Sequence, residues 1–200
     1  MIEGHSLQLI SGRLERGDID SARYLEELTQ FVASTIGCSR AAVRLFVDTP
    51  SGRVLRTVAM YDATLDRMVG APDIFDVEVG PYFERLLQDG SVLVADAYGD
   101  PVTSGTLRDY VVEANVASLM DMSFSVNGVL FGTFSCEQSG TKADWTQRQL
   151  QSLRKVASRA SLTLMHLVSV SVDTAPGALW ETSTPNRLAT MPMPLDWSPK

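Results

Sequence analysis

The sequence predicts an α+β fold in which an antiparallel sheet lies between layers of helices. Three features of the 200-residue chain lead to this prediction. Two pairs of apolar segments are each separated by turn residues, a pattern typical of β-hairpins. The second pair is apolar at both alternating sets of positions, so both faces of its strands need cover. A long amphipathic helix follows and can supply the cover on one side.

Helical patterns open the chain, and we expect residues 1–17 to form an N-terminal helical extension. Asp18 or Asp20 then caps a clearer stripe of apolar residues at three- and four-residue spacing, which runs from Tyr24 to Ile36. Gly37 provides the C-terminal stop, because glycine readily adopts the left-handed conformation found at helix ends.

The next part of the chain contains the first hairpin and several short elements. The segments 41–47 and 54–60 are β-branched and apolar, and residues 48–52 between them have turn chemistry. The remaining predicted elements are a long loop over 61–76, a short helix over 82–88, a strand over 91–95 and a helix over 105–115.

A second hairpin is predicted where Asn127-Gly128 separates two apolar segments, because a type I′ turn favours this dipeptide. A two-residue turn pairs Val126 with Val129 and continues that register outward. One predicted face carries Met120, Met122, Phe124, Val126, Val129 and Phe131. The other predicted face carries Leu119, Asp121, Leu130, Phe134 and Cys136.

The last predicted helix runs over residues 147–170, and its start is well marked. Thr146 and Gln149 have the spacing of a capping box, and Trp145 with Leu150 fits a hydrophobic staple. Apolar residues alternate by three and four along it, which predicts a seam for pairing with another helix. The seam residues are Leu150, Leu153, Ala157, Ala160, Leu164 and Leu167. Residues 173–200 lack periodicity and are expected to form a flexible tail.

Composition excludes several classes of function. The chain is 44% hydrophobic with a net charge of −7 and no basic cluster, which argues against nucleic-acid or anionic-membrane partners. Its N-terminus does not resemble a signal peptide, and its longest apolar stretch falls well short of the ~20 residues that span a bilayer. We therefore expect a cytoplasmic protein. Cys38 and Cys136 form no zinc pattern and are expected to be buried free thiols.

Five motifs, in order along the chain, together resemble those of a GAF domain, particularly the GAF domains of bacterial sensor proteins. The motifs are Pro81-Tyr82-Phe83-Glu84, Val92 to Ala97 with Asp100-Pro101, Leu107-Arg108-Asp109-Tyr110, Ser118 to Met122 with Asn127 to Gly132, and Trp145-Thr146. The resemblance places the domain at residues 18–172.

The resemblance implies a six-stranded antiparallel sheet between a layer of terminal helices and a pocket layer of short helices and loops. It also implies a homodimer formed through the terminal helices and a signalling partner protein. Bilin-binding members attach the chromophore to a cysteine in the helix before the last hairpin, and residues 105–115 contain none. His5 and His166 lie outside the pocket region that haem would require. We therefore expect no cofactor, and the scattered aspartates lack the spacing of a calcium loop.

The expected pocket would bind an unidentified small molecule through aromatic side chains and a few polar groups. The candidate ligand-binding residues are Tyr61, Phe75, Tyr82, Asp96, Tyr98, Arg108, Tyr110, Met120 and Met122. Arg108 is the candidate for contact with an anionic ligand, and the two methionines lie on a candidate floor strand. The alternative is that the aromatic residues are core. The predicted function is accordingly a non-catalytic sensory module, with a ligand-free dimerisation scaffold or a small redox enzyme as alternatives.

Overall fold

A computed structural model of the protein describes residues 2–50, 52–75, 80–126 and 129–172, apart from the side chains of residues 2–5, 106, 126, 129 and 165–172. The Asn127-Gly128 turn and the predicted tail lie outside these residues. No helix in the described ranges has both the length and the apolar character needed to cross a membrane.

The N-terminal half contains two helices and the first hairpin. In chain order its elements are α1 (Ile2–Glu15), α2 (Ser21–Ile36), β1 (Arg40–Thr49), β2 (Gly52–Asp62), β3 (Arg67–Met68) and β4 (Ile74–Phe75). The predicted hairpin is confirmed. The predicted loop over 61–76 is wrong in part, because β3 and β4 each pair briefly with β2 inside it.

The C-terminal half completes the sheet and ends in the long helix. Its elements are α3 (Pro81–Asp89), β5 (Ser91–Val94), a 3-10 turn (Pro101–Thr103), α4 (Thr106–Glu113), β6 (Val116–Val126), β7 (Val129–Ser139) and α5 (Gln147–Val172). The strands form an antiparallel sheet in the order β3-β2-β1-β7-β6-β5, with β4 beside β2. The predicted α+β class and the sheet between two layers are therefore confirmed, with seven strands in the described part of the chain where six were expected.

Side-chain caps fix both major helices at the predicted places. Asp20 is the N-cap of α2 and accepts a hydrogen bond from the Arg23 backbone N–H at 2.8 Å, which selects Asp20 over Asp18. Gly37 ends α2 in the left-handed conformation. At α5 the capping box is present, since Gln149 N–H donates to Thr146 Oγ1 at 3.2 Å and Thr146 N–H donates to Gln149 Oε1 at 2.9 Å.

The sheet separates two hydrophobic cores. On one side, which we call the helix side, α1, α2 and α5 cover a core that includes Val43, Met120, Met122, Phe134 and Cys136. On the other side, which we call the pocket side, α3 and α4 cover a smaller core. It includes Leu55, Tyr82, Val92, Tyr110 and Leu119. The pocket side carries the polar groups described below.

A β-bulge changes the predicted faces of β7. The register pairs Val126 with Val129 as predicted, but Phe124 is opposite Gly132, so Phe131 is an extra residue in β7. From that point the alternation of β7 is shifted by one residue. The prediction that Phe134 and Cys136 share a face with Leu119 and Asp121 is therefore wrong, because both lie on the helix side with Met120 and Met122.

The apolar seam of α5 is buried within its own chain. Leu150, Leu153, Ala157, Ala160 and Leu164 are all buried and belong to the helix-side core. The seam predicted to pair with another helix therefore packs against helices of its own chain, and the side chain of Leu167, its last predicted member, lies outside the described part. A small sheet with two further helices is enough to occupy the seam, because α1 and α2 pack against α5 in the same chain.

Candidate functional site

A buried arginine lies at the centre of the pocket side. Arg44 of β1 is 2% exposed, and its guanidinium donates to Ser135 Oγ at 2.8 Å, Thr57 Oγ1 at 3.2 Å and Tyr110 OH at 2.6 Å. It also bonds Glu137 Oε1 at 2.5 Å, and its Cζ lies 4.9 Å from the centre of the Tyr110 ring. Each nitrogen of the guanidinium therefore has a hydrogen-bond acceptor, and its face lies against an aromatic ring.

Glu137 is the anion that two arginines share. Its Oε1 accepts from Arg44 and from the Tyr110 hydroxyl at 2.6 Å, and its Oε2 lies 3.1 Å from Arg40 Nε. Burial by itself raises the pKa of Glu137, but Arg44 and Arg40 outweigh it and hold the pKa below its ordinary value. Burial also lowers the pKa of Arg44, and Tyr110 and Glu137 reverse this effect, so both partners stay charged.

Asp121 of β6 is a second buried acid on the pocket side. Its Oδ2 accepts from the Tyr82 hydroxyl of α3 at 2.5 Å, while its Oδ1 is buried without a hydrogen-bond partner among the described residues. The nearby Ser135 hydroxyl lowers the pKa of Asp121 slightly, but no described group forms a hydrogen bond to Oδ1. Burial raises the pKa of Asp121 to about 6, against a smaller opposing effect of Arg44. The pocket side therefore contains an acceptor that the described protein groups leave unused.

Two of the predicted ligand-binding residues lie in this cluster, and both face the pocket side. Tyr82 is in the first turn of α3 and Tyr110 is in α4, and each hydroxyl donates to one of the two buried acids. Burial, followed by the adjacent Asp121, raises the pKa of Tyr82, so its hydroxyl remains a donor. The motifs that contain these tyrosines thus lie on the two helices that cover the buried acids.

Three other predicted residues lie outside this cluster, and Tyr61 among them is half-buried against the helix-side core. The Tyr61 hydroxyl donates to Asp66, and this hydrogen bond raises the pKa of Tyr61. Tyr98 is 38% exposed and donates to Asn115 at 2.8 Å. Phe75, in β4, is 47% exposed. The structure does not bring these three together with Tyr82 and Tyr110.

The charged predicted residues hold the connections on either side of the 3-10 turn. Asp96 pairs with Lys142 at 2.6 Å, and that hydrogen bond lowers the pKa of Asp96. Arg108 donates from Nε to the Thr103 carbonyl at 3.0 Å and from Nη2 to the Asp100 carbonyl at 2.8 Å. These donors are used to anchor the turn before α4, so neither residue is aimed at the buried cluster.

Met120 and Met122 lie on the opposite side of the sheet from the cluster. Both are buried in the helix-side core beneath α2 and α5. Because neighbouring strand residues point to opposite faces, a floor that contains Asp121 excludes Met120 and Met122 from the same surface. The structure therefore places them as contacts to the helices, not as part of a pocket floor.

Sequence reasoning missed Arg44, Arg40 and Glu137. The available signal was the presence of charged residues at alternate positions inside otherwise apolar strands, where a charge is rarely buried unless it is paired. Arg40 and Arg44 are four residues apart in β1 and so point to one face. The partner acid could not be identified from β7, because the bulge changes the face on which Glu137 lies.

The two cysteines are buried on the helix side, as expected for free thiols. Burial, followed by the neighbouring Cys38, raises the pKa of the Cys136 thiol well above its ordinary value. Within the described part of the chain, no group of three or more His, Cys, Asp and Glu side chains is arranged to hold a metal ion.

Comparison with solved structures shows similar folds. A protein solved in its far-red absorbing dark state, with biliverdin IXa bound, is 16% identical and has a TM-score of 0.61. The match covers 80% of this chain and 98% of that one. The GAF domain of the cyanobacteriochrome TePixJ is 18% identical, with a TM-score of 0.58 and coverage of 74% and 91%. The chromophore-binding domain of a Stigmatella aurantiaca bacteriophytochrome is 16% identical, with a TM-score of 0.60. The match covers 82% of this chain and 60% of that one.

At these identities the solved structures show a shared fold, and family membership comes from the sequence itself. No curated protein gives a significant match to the chain. The sequence pattern of the GAF domain family, however, matches residues 20–164, which is well over half of the chain. The matched range begins at the N-cap of α2 and includes every strand of the sheet and the first turns of α5. The chain therefore belongs to the GAF domain family.

Proposed function

We propose that this protein is a non-catalytic regulatory module that forms a homodimer and binds a small molecule on the pocket side. Ligand binding would change the packing of its terminal helices. The observation that carries the proposal is the position of Asp121 in β6. Its carboxylate presents an unused acceptor on the pocket side. Its neighbours in the strand, Met120 and Met122, pack beneath the helices on the other side.

The unused Asp121 oxygen indicates the class of ligand. A buried acceptor without a partner costs about 1–3 kcal/mol, and more when it is charged. A small neutral or cationic molecule with an N–H or O–H donor would remove that cost when it binds. An anion would instead face two buried acids, Asp121 and Glu137. The earlier expectation of an anionic ligand at Arg108 is not required, since Arg108 already donates to two carbonyls.

Biliverdin is bound in one of the similar solved structures, and it is a poor fit to this chain. A tetrapyrrole with two carboxylates needs available cations, whereas Arg40 and Arg44 are both already matched to Glu137. Helix α4 (Thr106–Glu113) also has no cysteine for a covalent bond. We therefore propose a smaller, donor-rich ligand in place of a bilin.

The strands provide a short route from the ligand to the helices. Asp121 and Glu137 alternate along β6 and β7 with Met122 and Cys136, which belong to the core beneath α2 and α5. Because close-packed interiors transmit small displacements, a shift of β6 changes the packing of α5. Ligand-dependent output additionally requires that the ligand binds one helix arrangement more tightly than the other.

An exposed leucine on a terminal helix supports the homodimer. Leu9 of α1 is 55% exposed, whereas the described part of the predicted seam of α5 is buried in the chain itself. A two-fold dimer would bury Leu9 against the same surface of the second copy. The proposed contact is therefore centred on α1.

Burial of the thiols supports a non-catalytic role. A reactive thiol needs a lowered pKa and access to solvent, and Cys136 has neither. The acids and bases of the pocket side are mostly committed to each other through the Arg44 network.

Native mass spectrometry of the full chain, purified from the organism that encodes it, tests both parts of the proposal. We expect the mass of two chains plus a retained small molecule. Binding of that molecule to Asp121→Asn should then weaken about tenfold or more, which corresponds to about 1.4 kcal/mol. Asp109→Asn is the matched control, because Asp109 is exposed on α4. A bare dimer would contradict ligand binding, and a monomer would contradict dimerisation.

A ligand-free scaffold is the second candidate, and one observation favours it. Arg44, Tyr110 and Glu137 are buried and bonded to one another, so they fill the middle of the pocket side themselves. On this proposal a water molecule satisfies Asp121, and the domain only holds two copies together. The scaffold predicts a dimer with no retained molecule and an unchanged dimer in Asp121→Asn.

A further inference from the structure

Charge is distributed very unevenly between α5 and the rest of the chain. The helix Gln147–Val172 contains no Asp or Glu. It contains four cations, which are Arg148, Arg154, Lys155 and Arg159. The whole chain has 17 basic and 24 acidic residues, so the residues outside α5 include 13 basic and all 24 acidic side chains. One helix of an acidic protein is thus exclusively basic.

Burial shows that this basic charge lies on one side of the helix. The inward side of α5 is formed by the buried apolar residues of the helix-side core. The opposite side, which we call the outer face, comprises the exposed residues Gln151, Arg154, Lys155, Ser158, Arg159 and Leu162. An open recess lies among the first five of these side chains. The outer face is therefore separate from both the sheet and the pocket side.

Several of these cations are available for a partner. Arg148, Arg154 and Lys155 form no ion pair with any residue in the described ranges, whereas arginines of α1, α2, α3, β1 and β2 pair with nearby acids. Exposed cations that form no ion pair produce a positive field that attracts an anionic surface.

We propose that the outer face of α5 docks an acidic amphipathic helix of a partner protein. At 100° per residue, Gln151, Ser158 and Leu162 form the middle of the outer face. Arg154 lies along one edge, while Lys155 and Arg159 lie along the other. The small Ser158 allows close approach, and Leu162, which is 67% exposed, offers an apolar contact. A helix with leucines in its centre and glutamates on both flanks matches this arrangement in shape and charge.

The same charges disfavour other occupants of this part of α5. A second copy would place Arg154 and Lys155 opposite identical cations if two outer faces met around a two-fold axis. A homodimer centred on Leu9 of α1 leaves the outer face of α5, including Leu162, outside that contact. Nucleic acid would meet an acidic protein with a net charge of −7 around a single basic helix.

Fluorescence anisotropy with the full chain tests the proposal. The probe is a labelled synthetic helix with leucines along one side and glutamates on both flanks, and its counterpart carries lysine at every glutamate position. We expect saturable binding of the glutamate helix that weakens with added salt. The double variant Arg154→Glu/Lys155→Glu should weaken it about tenfold or more and gain affinity for the lysine helix.

Matched controls distinguish the outer face from general attraction to arginine or leucine. Arg67→Glu/Arg85→Glu reverses two exposed cations elsewhere and should leave binding unchanged. Leu162→Ser should weaken binding several-fold, whereas Leu87→Ser, at a leucine 60% exposed on α3, should not.

Four results would overturn the proposal. The first is equal binding of the glutamate and lysine helices, and the second is full binding by Arg154→Glu/Lys155→Glu. The third is duplex DNA or phosphatidylserine vesicles binding the outer face more tightly than the glutamate helix. The fourth is loss of the dimer in the double variant, because the outer face would then belong to a contact between two copies. Retained ligand plays no part in these readouts, so this proposal and the proposed function fail separately.

Discussion

Neutralising Glu137 should destabilise the protein more than removing either arginine that contacts it. Glu137→Gln keeps the volume of the side chain and removes only the charge that Arg44 and Arg40 share. Arg44→Met removes one cation and leaves Arg40 and Tyr110 still facing the carboxylate. Asp121 lies near Arg44 but forms no ion pair with it. Glu137→Gln therefore leaves two arginines without a carboxylate in direct contact, whereas Arg44→Met leaves Glu137 paired with Arg40.

The geometry gives the size of each effect. Removing one partner of a buried ion pair costs about 3–5 kcal/mol, because the other charge stays buried without compensation. Arg44→Met should fall near the lower end, at about 3 kcal/mol, since Arg40 still compensates Glu137. Glu137→Gln should fall near the upper end, at about 5 kcal/mol, since two guanidinium groups lose their anion. At about 2–4 °C per kcal/mol for a domain of this size, Glu137→Gln lowers Tm by roughly 10–20 °C.

Urea unfolding followed by circular dichroism measures both free energies. The control is Arg56→Met, which breaks the ion pair with Asp73 at 2.8 Å, where the two side chains are 35% and 24% exposed. A partly exposed pair contributes about 0–1 kcal/mol, so this variant should unfold almost as the parent does. The reasoning is refuted if Arg44→Met is the more destabilised variant, or if Glu137→Gln is no less stable than Arg56→Met.

Two further predictions concern Asp121 and Gly132. Burial raises the pKa of Asp121 to about 6. The protonated carboxyl therefore favours the folded state at low pH, and this contribution to the free energy of unfolding is lost as pH rises through 6. Asp121→Asn should therefore gain up to about 3 kcal/mol over the parent above pH 7, with the gain vanishing near pH 4 in pH-dependent urea unfolding. The prediction is contradicted if the difference in free energy of unfolding between Asp121→Asn and the parent is the same at pH 4 and at pH 7. Gly132→Ala should cost more than about 4 kcal/mol, because the added Cβ would lie 2.0 Å from the Arg44 carbonyl oxygen. In the matched control Gly12→Ala the Cβ meets only the flexible end of Arg16, so calorimetry should show equal or higher Tm.

Local signals predicted the α-helices and the longer strands of this fold, but not the two-residue strands β3 and β4. The Asp20 cap, the Gly37 stop and the Thr146–Gln149 capping box depend on residues within four positions of one another, and all three are present. The motifs Pro81-Tyr82-Phe83-Glu84 and Leu107-Arg108-Asp109-Tyr110 likewise lie in helices whose tyrosines face the pocket side. What these signals could not provide was the set of partners in the buried cluster, because those contacts join residues distant in the chain, for example 27 positions apart for Tyr110 and Glu137 and 93 apart for Arg44 and Glu137.

The bulge at Phe131 explains why strand alternation alone did not predict the centre of the site. Without the extra residue, the register from Val126 and Val129 would put Phe134 and Cys136 on the pocket side and Glu137 among the helix-side methionines. The shift turns Glu137 towards Arg44 and Arg40 and returns Phe134 to the core. Glycine at 132 permits the close approach of β7 to β1 directly after the bulge, since a Cβ there would overlap the Arg44 backbone. An unpaired Glu137 beneath α5 and two unpaired arginines on the other face would each carry a large desolvation penalty. The charge pattern of β1 and β7 is therefore consistent only with the bulged register, and strand alternation read together with charge pairing would have identified it.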